Sequence, residues 1–279
     1  MTDARALAIE YLKQQRQLGG DSVILPDTAA TLGTPGLRPG LENLVTDSTS
    51  APAVLTPGAS PGTPHTGTNN SPSDLPPAGL TFDPPSADLF ATDPIQRAAS
   101  LQDVATLIAA CQKCKLCSSR TNTVPGEGPA TAKLVVVGEG PGRTEDETGR
   151  PFVGRAGELL TKILEAIQLP RDQVFICNVV KCRPPENRLP QYDEIAACLP
   201  FLYRQLELVK PKVILAMGGT AAQSLLSTKQ SLGALRNQVH RFRGIPVVVT
   251  YHPAALLRNP NWKKPTWDDV RIAARLLDN

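Results

Sequence analysis

Hydrophobic and polar positions divide the chain unequally. In residues 4–18, Leu7, Tyr11 and Leu18 fall near one helical face, Thr2 or Asp3 can cap the start, and Gly19-Gly20 stops the pattern, so a short helix is expected over 1–20. Residues 21–100 then hold 13 of the 27 prolines and no lysine, among many Thr, Ser, Ala, Gly and Asp. Such a stretch buries too little apolar area to offset its ordering entropy, so 21–99 is expected to be disordered. Regular patterning begins at Ser100, where Ser100 and Asp103 read as a capping box ahead of Leu101, Val104, Leu107 and Ile108.

Beyond residue 130 short apolar runs alternate with amphipathic segments. Strands are predicted over 133–137, 174–176, 213–217 and 247–250. Helices are predicted over 157–167, over 192–208 with a kink or break at Pro200, over 220–226 and over 268–277. Strands that are apolar on both faces suit a parallel sheet covered on both sides. The expected fold class is α/β: a three-layer α/β/α unit over 100–279 with a central four-stranded, mainly parallel sheet, preceded by the Pro-rich segment.

Composition and charge narrow the function. No apolar run reaches the roughly 18 residues of a membrane span, and the N-terminus lacks the apolar core of a secretory signal. No membrane association is expected, and the expected setting is the cytoplasm, at the nucleoid in a bacterium. Residues 1–100 carry 5 Lys/Arg against 10 Asp/Glu, whereas 101–279 carry 24 against 16. The basic part suits a polyanion. The N-terminal tail reads either as an inert linker or as a tether for a replication or repair protein.

Six cysteines without an export signal suggest thiols or metal ligands. Cys111-x-x-Cys114 opens the set, Cys182 and Cys198 follow, and Cys117 and Cys177 are left over. Zinc, an iron–sulfur cluster and redox chemistry all fit this spacing, and spacing by itself does not single out the spare member of the 111/114/117 group. Two further segments follow predicted strands: Gly138-Glu139-Gly140-Pro141-Gly142 and His252-Pro253-Ala254. Open α/β sheets place ligand sites at such loops. The glycine run is G-x-G-x-G, a poor match to the dinucleotide fingerprint.

Taken in order, four motifs resemble the family 4 uracil-DNA glycosylases, the iron–sulfur class. They are Gly138-Glu139-Gly140-Pro141-Gly142 with Glu145-Asp146; Gly149-Arg150-Pro151-Phe152-Val153-Gly154; Asn178-Val179-Val180-Lys181-Cys182-Arg183-Pro184-Pro185; and His252-Pro253-Ala254-Ala255-Leu256-Leu257-Arg258-Asn259-Pro260. The resemblance covers about residues 111–277. It implies base flipping from uracil-containing DNA, single- or double-stranded, and hydrolysis of the N-glycosidic bond in base excision repair. It also implies a [4Fe–4S] cluster on Cys111, Cys114, Cys182 and Cys198.

Under that resemblance His252 donates to uracil O2 as negative charge develops, and Asn178 pairs with O4 and N3–H, a pattern cytosine inverts. Phe152 offers a stacking face. Gly138 and Gly140, with Gly142, allow close main-chain approach, and Glu139 is the expected site carboxylate, ahead of Glu145 and Asp146. Leu256 or Leu257 is expected to fill the gap left by the base. Arg258, Arg183, Arg188, Lys263 and Lys264 are candidate phosphate contacts. The alternatives are a non-catalytic DNA- or polymerase-associated module of the same fold and a zinc protein with four cysteine ligands.

Overall fold

The computed structural model describes residues 75–84 and 93–278. The helix expected over residues 4–18 and most of the Pro-rich segment lie outside the described residues. The chain order is β1 (Ala78–Phe82), α1 (Pro94–Arg97), α2 (Leu101–Ala109), β2 (Leu134–Gly138), α3 (Arg143–Thr148), α4 (Arg155–Ala166) and β3 (Phe175–Asn178). It continues through α5 (Tyr192–Val209), β4 (Val213–Met217), α6 (Gly219–Leu226), α7 (Leu232–Leu235), β5 (Val239–Phe242), β6 (Ile245–Thr250), α8 (Pro253–Arg258) and α9 (Lys263–Asp278).

The strands form one sheet in the order β1-β5-β6-β4-β2-β3, parallel except for the β5/β6 pair. Residues of β2 and β4 are buried throughout. Val135, Val137, Ile214, Ala216, Val247 and Val249 face α2, α5 and α6, whereas Leu134, Val136, Val213, Leu215 and Val248 face α4 and α9. Alternate residues of each strand thus enter opposite cores, which is the three-layer arrangement expected.

The sheet has six strands, not the four expected. The two extra strands are β1 and β5, and each hides its signal. β1 lies inside the segment expected to be disordered, and it carries Gly79 at a place where a Cβ would sit 2.3 Å from the His240 ring. β5 has only Val239 and Phe242 as apolar members, and the polar His240 is fully buried. Its Nδ1 accepts from Leu80 N–H at 2.8 Å and its Nε2 lies 2.7 Å from Leu235 O, so one imidazole fastens β1 to β5 and to α7. Arg243 and Gly244, both at positive φ, make the two-residue turn into β6. α1 also falls within the segment expected to be disordered.

Two local expectations have simple outcomes. Ser100 and Asp103 form the expected capping box at the start of α2, at 3.1 and 2.9 Å, worth about 1 kcal/mol. Pro200 does not break α5, which runs unbroken from Tyr192 to Val209. Among the described residues no helix is long and apolar enough to cross a membrane.

The chain leaves β2 toward β3 on one side, then crosses back to β4 and β6 on the other. The carboxyl ends of β2, β3, β4 and β6 therefore meet where the direction of strand addition reverses, the general location of ligand crevices in open sheets.

Replacing His240 by Leu would strand the Leu80 N–H and the Leu235 carbonyl in the core. A loss of about 2 kcal/mol in urea unfolding is expected; an unchanged midpoint would show that β1 is held by other means.

Candidate functional site

At that crevice a cavity of about 400 Å³ opens, with Glu139, Gly140, Phe152, Asn178, His252 and Arg258 in its walls. Every side chain expected to act on the base thus reaches one space, although the residues lie over 110 positions apart in the chain. Glycines make this convergence sterically feasible. A Cβ on Gly138 would lie 2.4 Å from Asn178 Oδ1 and 2.5 Å from Phe152 Cζ, and one on Gly140 would lie 2.7 Å from Val180 Cγ2. The loop after β2 is laced to the end of β3 by Val179 N–H on Gly138 O at 2.9 Å and Val180 N–H on Glu139 O at 3.1 Å.

Asn178 ends β3 and is only 1 % exposed. Its Oδ1 is buried without a hydrogen-bond partner. A buried carbonyl oxygen left unpaired costs about 1–3 kcal/mol, a cost that a ligand N–H would remove.

His252 caps α8, its Nδ1 accepting from Ala254 N–H at 3.1 Å. The proton of a neutral ring therefore sits on Nε2. Burial, and then the nearby Arg258 charge, push its pKa down to about 4. The ring stacks on Phe152 with centroids 5.3 Å apart. Gly218, at φ +96°, leaves room for it, since a Cβ there would meet His252 Cβ at 3.3 Å. Behind it, Asp269 accepts from Thr250 Oγ1 at 2.8 Å and from Arg236 at 2.7 and 3.1 Å, while Arg236 covers the Tyr251 ring at 4.4 Å. The two residues leading into His252 are thereby held.

Phe152 adopts φ 51°, a conformation rare for a bulky residue. Arg171 donates to the carbonyls of Pro151 and Phe152, and Gly157 admits the Phe152 carbonyl where a Cβ would lie 1.8 Å away. Glu145 accepts from Val153 and Gly154 N–H, both at 2.9 Å, and from Gly142 N–H at 3.1 Å. Its carboxylate is thus committed to shaping two loops. Asp146, buried, accepts from Thr121 N–H at 2.9 Å and is likewise structural.

Of the three carboxylates expected at the site, Glu139 is the one not taken up by main-chain N–H groups. Burial raises its pKa above the ordinary glutamate value, opposed by a 2.6 Å hydrogen bond from Thr220 Oγ1 and by Arg258. Thr220 was not among the expected residues, although its place after Gly218-Gly219 at the end of β4 repeats the strand-end pattern of the other loops.

The surface residues sort differently from expectation. Leu256 is buried at 1 % exposure and packs inward, so it is unavailable for DNA; Leu257 is 42 % exposed. The physical reason is α8 itself, whose turn sends adjacent residues to different faces. Arg188 is committed to the buried Glu194 carboxylate at 2.8 and 2.6 Å, so it braces the cavity wall rather than standing free for a phosphate. Arg183 donates to Asn187 at 2.8 Å, and Lys264 pairs with Asp268 at 3.1 Å on an exposed helix face. Lys263 is exposed.

Cys111, Cys114, Cys182 and Cys198 line a second, small cavity, together with Cys117. Cys177 is instead buried in the core on β3. Burial pushes the Cys198 thiol up to about 12, and burial with neighbouring thiols also raises Cys114 and Cys182. Arg120 Nη1 donates to Cys182 Sγ at 3.2 Å, and Lys181 N–H to Cys198 Sγ at 3.3 Å. Among the described residues no three His, Cys, Asp or Glu converge as the shell of a single ion.

The unfolded His252 ring takes up a proton near 6.5 and the folded one only near 4. The fold therefore loses stability as pH falls through that window, where the unfolded chain binds more protons. In nitrogen-15-labelled protein at about pH 5.5, inside that window, His252 is expected to be neutral with its proton on Nε2; an imidazolium signal would contradict this.

Comparison with known proteins fits the cavity. The model of the uracil DNA glycosylase superfamily matches residues 125–272, which include all four strand-end loops. A type-4 uracil-DNA glycosylase of Sulfurisphaera tokodaii is 46 % identical over 184 residues, covering 62 % of this chain and 82 % of that protein. One of Thermotoga maritima is 48 % identical over 161 residues, covering 57 % and 84 %. A DNA polymerase of Bacillus phage SP01 is 27 % identical over 154 residues, 55 % of this chain but 17 % of the polymerase. With the superfamily matched over most of the described residues, and with relatives 46–48 % identical over more than four fifths of their own length, the chain belongs to the type-4 uracil-DNA glycosylases of the uracil-DNA glycosylase superfamily.

Proposed function

We propose that this uracil-DNA glycosylase works through Asn178, His252, Phe152 and Glu139 acting together in the cavity at the sheet's carboxyl end. The observation that carries this is the buried, unpartnered Asn178 Oδ1 in a cavity also lined by His252, whose free ring nitrogen is a donor. Uracil flipped from DNA offers N3–H to Asn178 Oδ1 and O4 to the amide NH2. Cytosine, with an unprotonated N3 and an N4 amino group, leaves both unpaired. Phe152 stacks on the ring. As the N-glycosidic bond breaks, its electron pair moves onto the base, and the neutral His252 donates from Nε2 to O2. Glu139, held by Thr220, orients the water that adds to the sugar and receives its proton. The raised pKa makes Glu139 a better proton acceptor than an ordinary carboxylate.

Leu257 is the residue proposed to fill the gap in the DNA, with Arg258 contributing near the cavity and Arg183 and Lys263 as phosphate contacts. A replication or repair partner on the N-terminal tail is a separate proposal, resting on that tail's acidic composition.

Cys111, Cys114, Cys182 and Cys198 are proposed to hold a [4Fe–4S] cluster. The donor set fits: four thiols line one cavity, and N–H groups from Arg120 and Lys181 point at two of the sulfurs. A four-iron cluster spreads its thiolates over separate irons, so it needs no single-ion shell. Raised thiol pKa values mean that loading must release protons. When bound, the group supplies a rigid cross-link between the segment holding Cys111 and Cys114, the Cys182 loop and α5. The binding-module alternative draws on the phage polymerase likeness, but a module without catalysis has no need of Asn178, His252 and Glu139 around one cavity.

On an oligonucleotide carrying one uracil, His252→Ala should lower kcat/KM by roughly 10²–10³-fold. Asn178→Asp should erode selectivity for uracil over cytosine. Full activity in the first, or unchanged selectivity in the second, overturns the assignment. Cys182→Ala is expected to lose visible absorption, iron and thermal stability together; a coloured, equally stable variant would remove Cys182 from the ligand set, and a colourless zinc-containing wild type would replace the cluster by zinc.

A further inference from the structure

We infer that Lys181 is the positioning residue for the uracil-reading amide, tying Asn178 to the cysteine cavity so that the two sites form one mechanical unit. The inference rests on the assignment of Asn178 as the base reader.

Lys181 is among the largest fully buried side chains of the described residues, at 1 % exposure. Burying an amine is unfavourable unless its N–H groups find acceptors. Its Nζ donates to the Asn178 carbonyl at 2.6 Å and to Gln205 Oε1 at 2.7 Å. Among the described residues no carboxylate pairs with it. Gln205, itself buried on α5, uses its other end to donate to Pro125 O at 2.6 Å, so its amide orientation is set. The Lys181 main chain is engaged as well: its N–H donates to Cys198 Sγ at 3.3 Å, and its carbonyl accepts from Val124 N–H at 2.8 Å. One residue therefore touches the base reader, α5, the 124–125 segment and a proposed cluster ligand.

A methionine would fill the same space without the cost of burying an amine. What the lysine adds is directional: a bond onto the Asn178 carbonyl where the register with β2 ends, at the Gly138–Asn178 pair. The N–H of the Asn178–Val179 peptide is already held by Gly138 O at 2.9 Å, and Lys181 holds its carbonyl, so both ends of the peptide that carries the Asn178 side chain are fixed; with the carbonyl released, a tilt of that peptide would shift Oδ1. Recognition of one base edge tolerates about 0.5 Å of misplacement. Lys181 supplies the second constraint, on the carbonyl of that peptide.

The test compares Lys181→Met, Gln205→Leu and Asn178→Asp, each purified with its cofactor. Four quantities are measured: inhibition by free uracil, binding to an abasic oligonucleotide, iron content with visible absorption, and melting temperature. For Lys181→Met, iron, absorption and abasic-DNA affinity are expected to stay at wild-type level while uracil affinity weakens roughly ten- to a hundredfold. Gln205→Leu should shift uracil affinity in the same direction by less, and it carries the test if Lys181→Met fails to fold. Wild-type uracil affinity in an iron-replete Lys181→Met or Gln205→Leu protein overturns the inference. So does a fall that merely tracks iron loss and melting temperature, which marks a purely structural lysine. If Asn178→Asp itself keeps wild-type uracil affinity and selectivity, the base-reader assignment fails and takes the inference with it. Loss in Asn178→Asp with no change in either partner variant sinks the inference alone.

Discussion

Five consecutive residues, Asn178 to Cys182, join an amide that lines the main cavity to a cysteine of the second one, and that short run constrains the rest of the site. Val179 and Val180 donate to the carbonyls of Gly138 and Glu139, so the loop after β2 cannot move without β3. Lys181 commits its side chain to Asn178 and Gln205 and its main chain to Cys198 and Val124. Cys182 receives Arg120. Almost nothing in the run is left to solvent, which is why its geometry can be sharp although it is not regular secondary structure.

The same kind of constraint governs the opposite walls. Phe152 sits at positive φ, a strained state that persists only where the surroundings determine it. Arg171, Gly157 and Glu145 are those surroundings. His252 is held by the start of α8 on one side and by the Thr250–Asp269–Arg236 group on the other. Polar side chains thus serve two populations. One set is fully satisfied and holds loops. The other lines the cavity: Asn178 Oδ1 is buried without a partner and the His252 Nδ1 is taken by Ala254 N–H, which leaves Nε2, and these are the groups the proposed chemistry uses.

Several residues with suggestive chemistry in the sequence turn out to belong to the first set. Glu145, Asp146 and Arg188 have the charge that catalysis or phosphate binding would want, yet each is saturated by backbone or carboxylate partners. Leu256 and Leu257 are equivalent as letters; the direction of α8 buries one and exposes the other. Residue type states what a group can do, and only its neighbours state whether it is free to do it.

By itself the sequence determined the layered α/β class, the strands β2, β3, β4 and β6, the capping box at Ser100 and the glycine, asparagine and histidine segments, because these signals are local: periodicity, caps and motifs within about ten residues. It did not determine β1 and β5, whose evidence is a pairing across about 160 positions through the buried His240. Nor could it place Thr220 on Glu139, Lys181 behind Asn178, or Leu256 in the core. Those depend on which distant groups meet when the sheet closes, and pairing of buried polar atoms is decided by three-dimensional proximity, which carries no period along the chain.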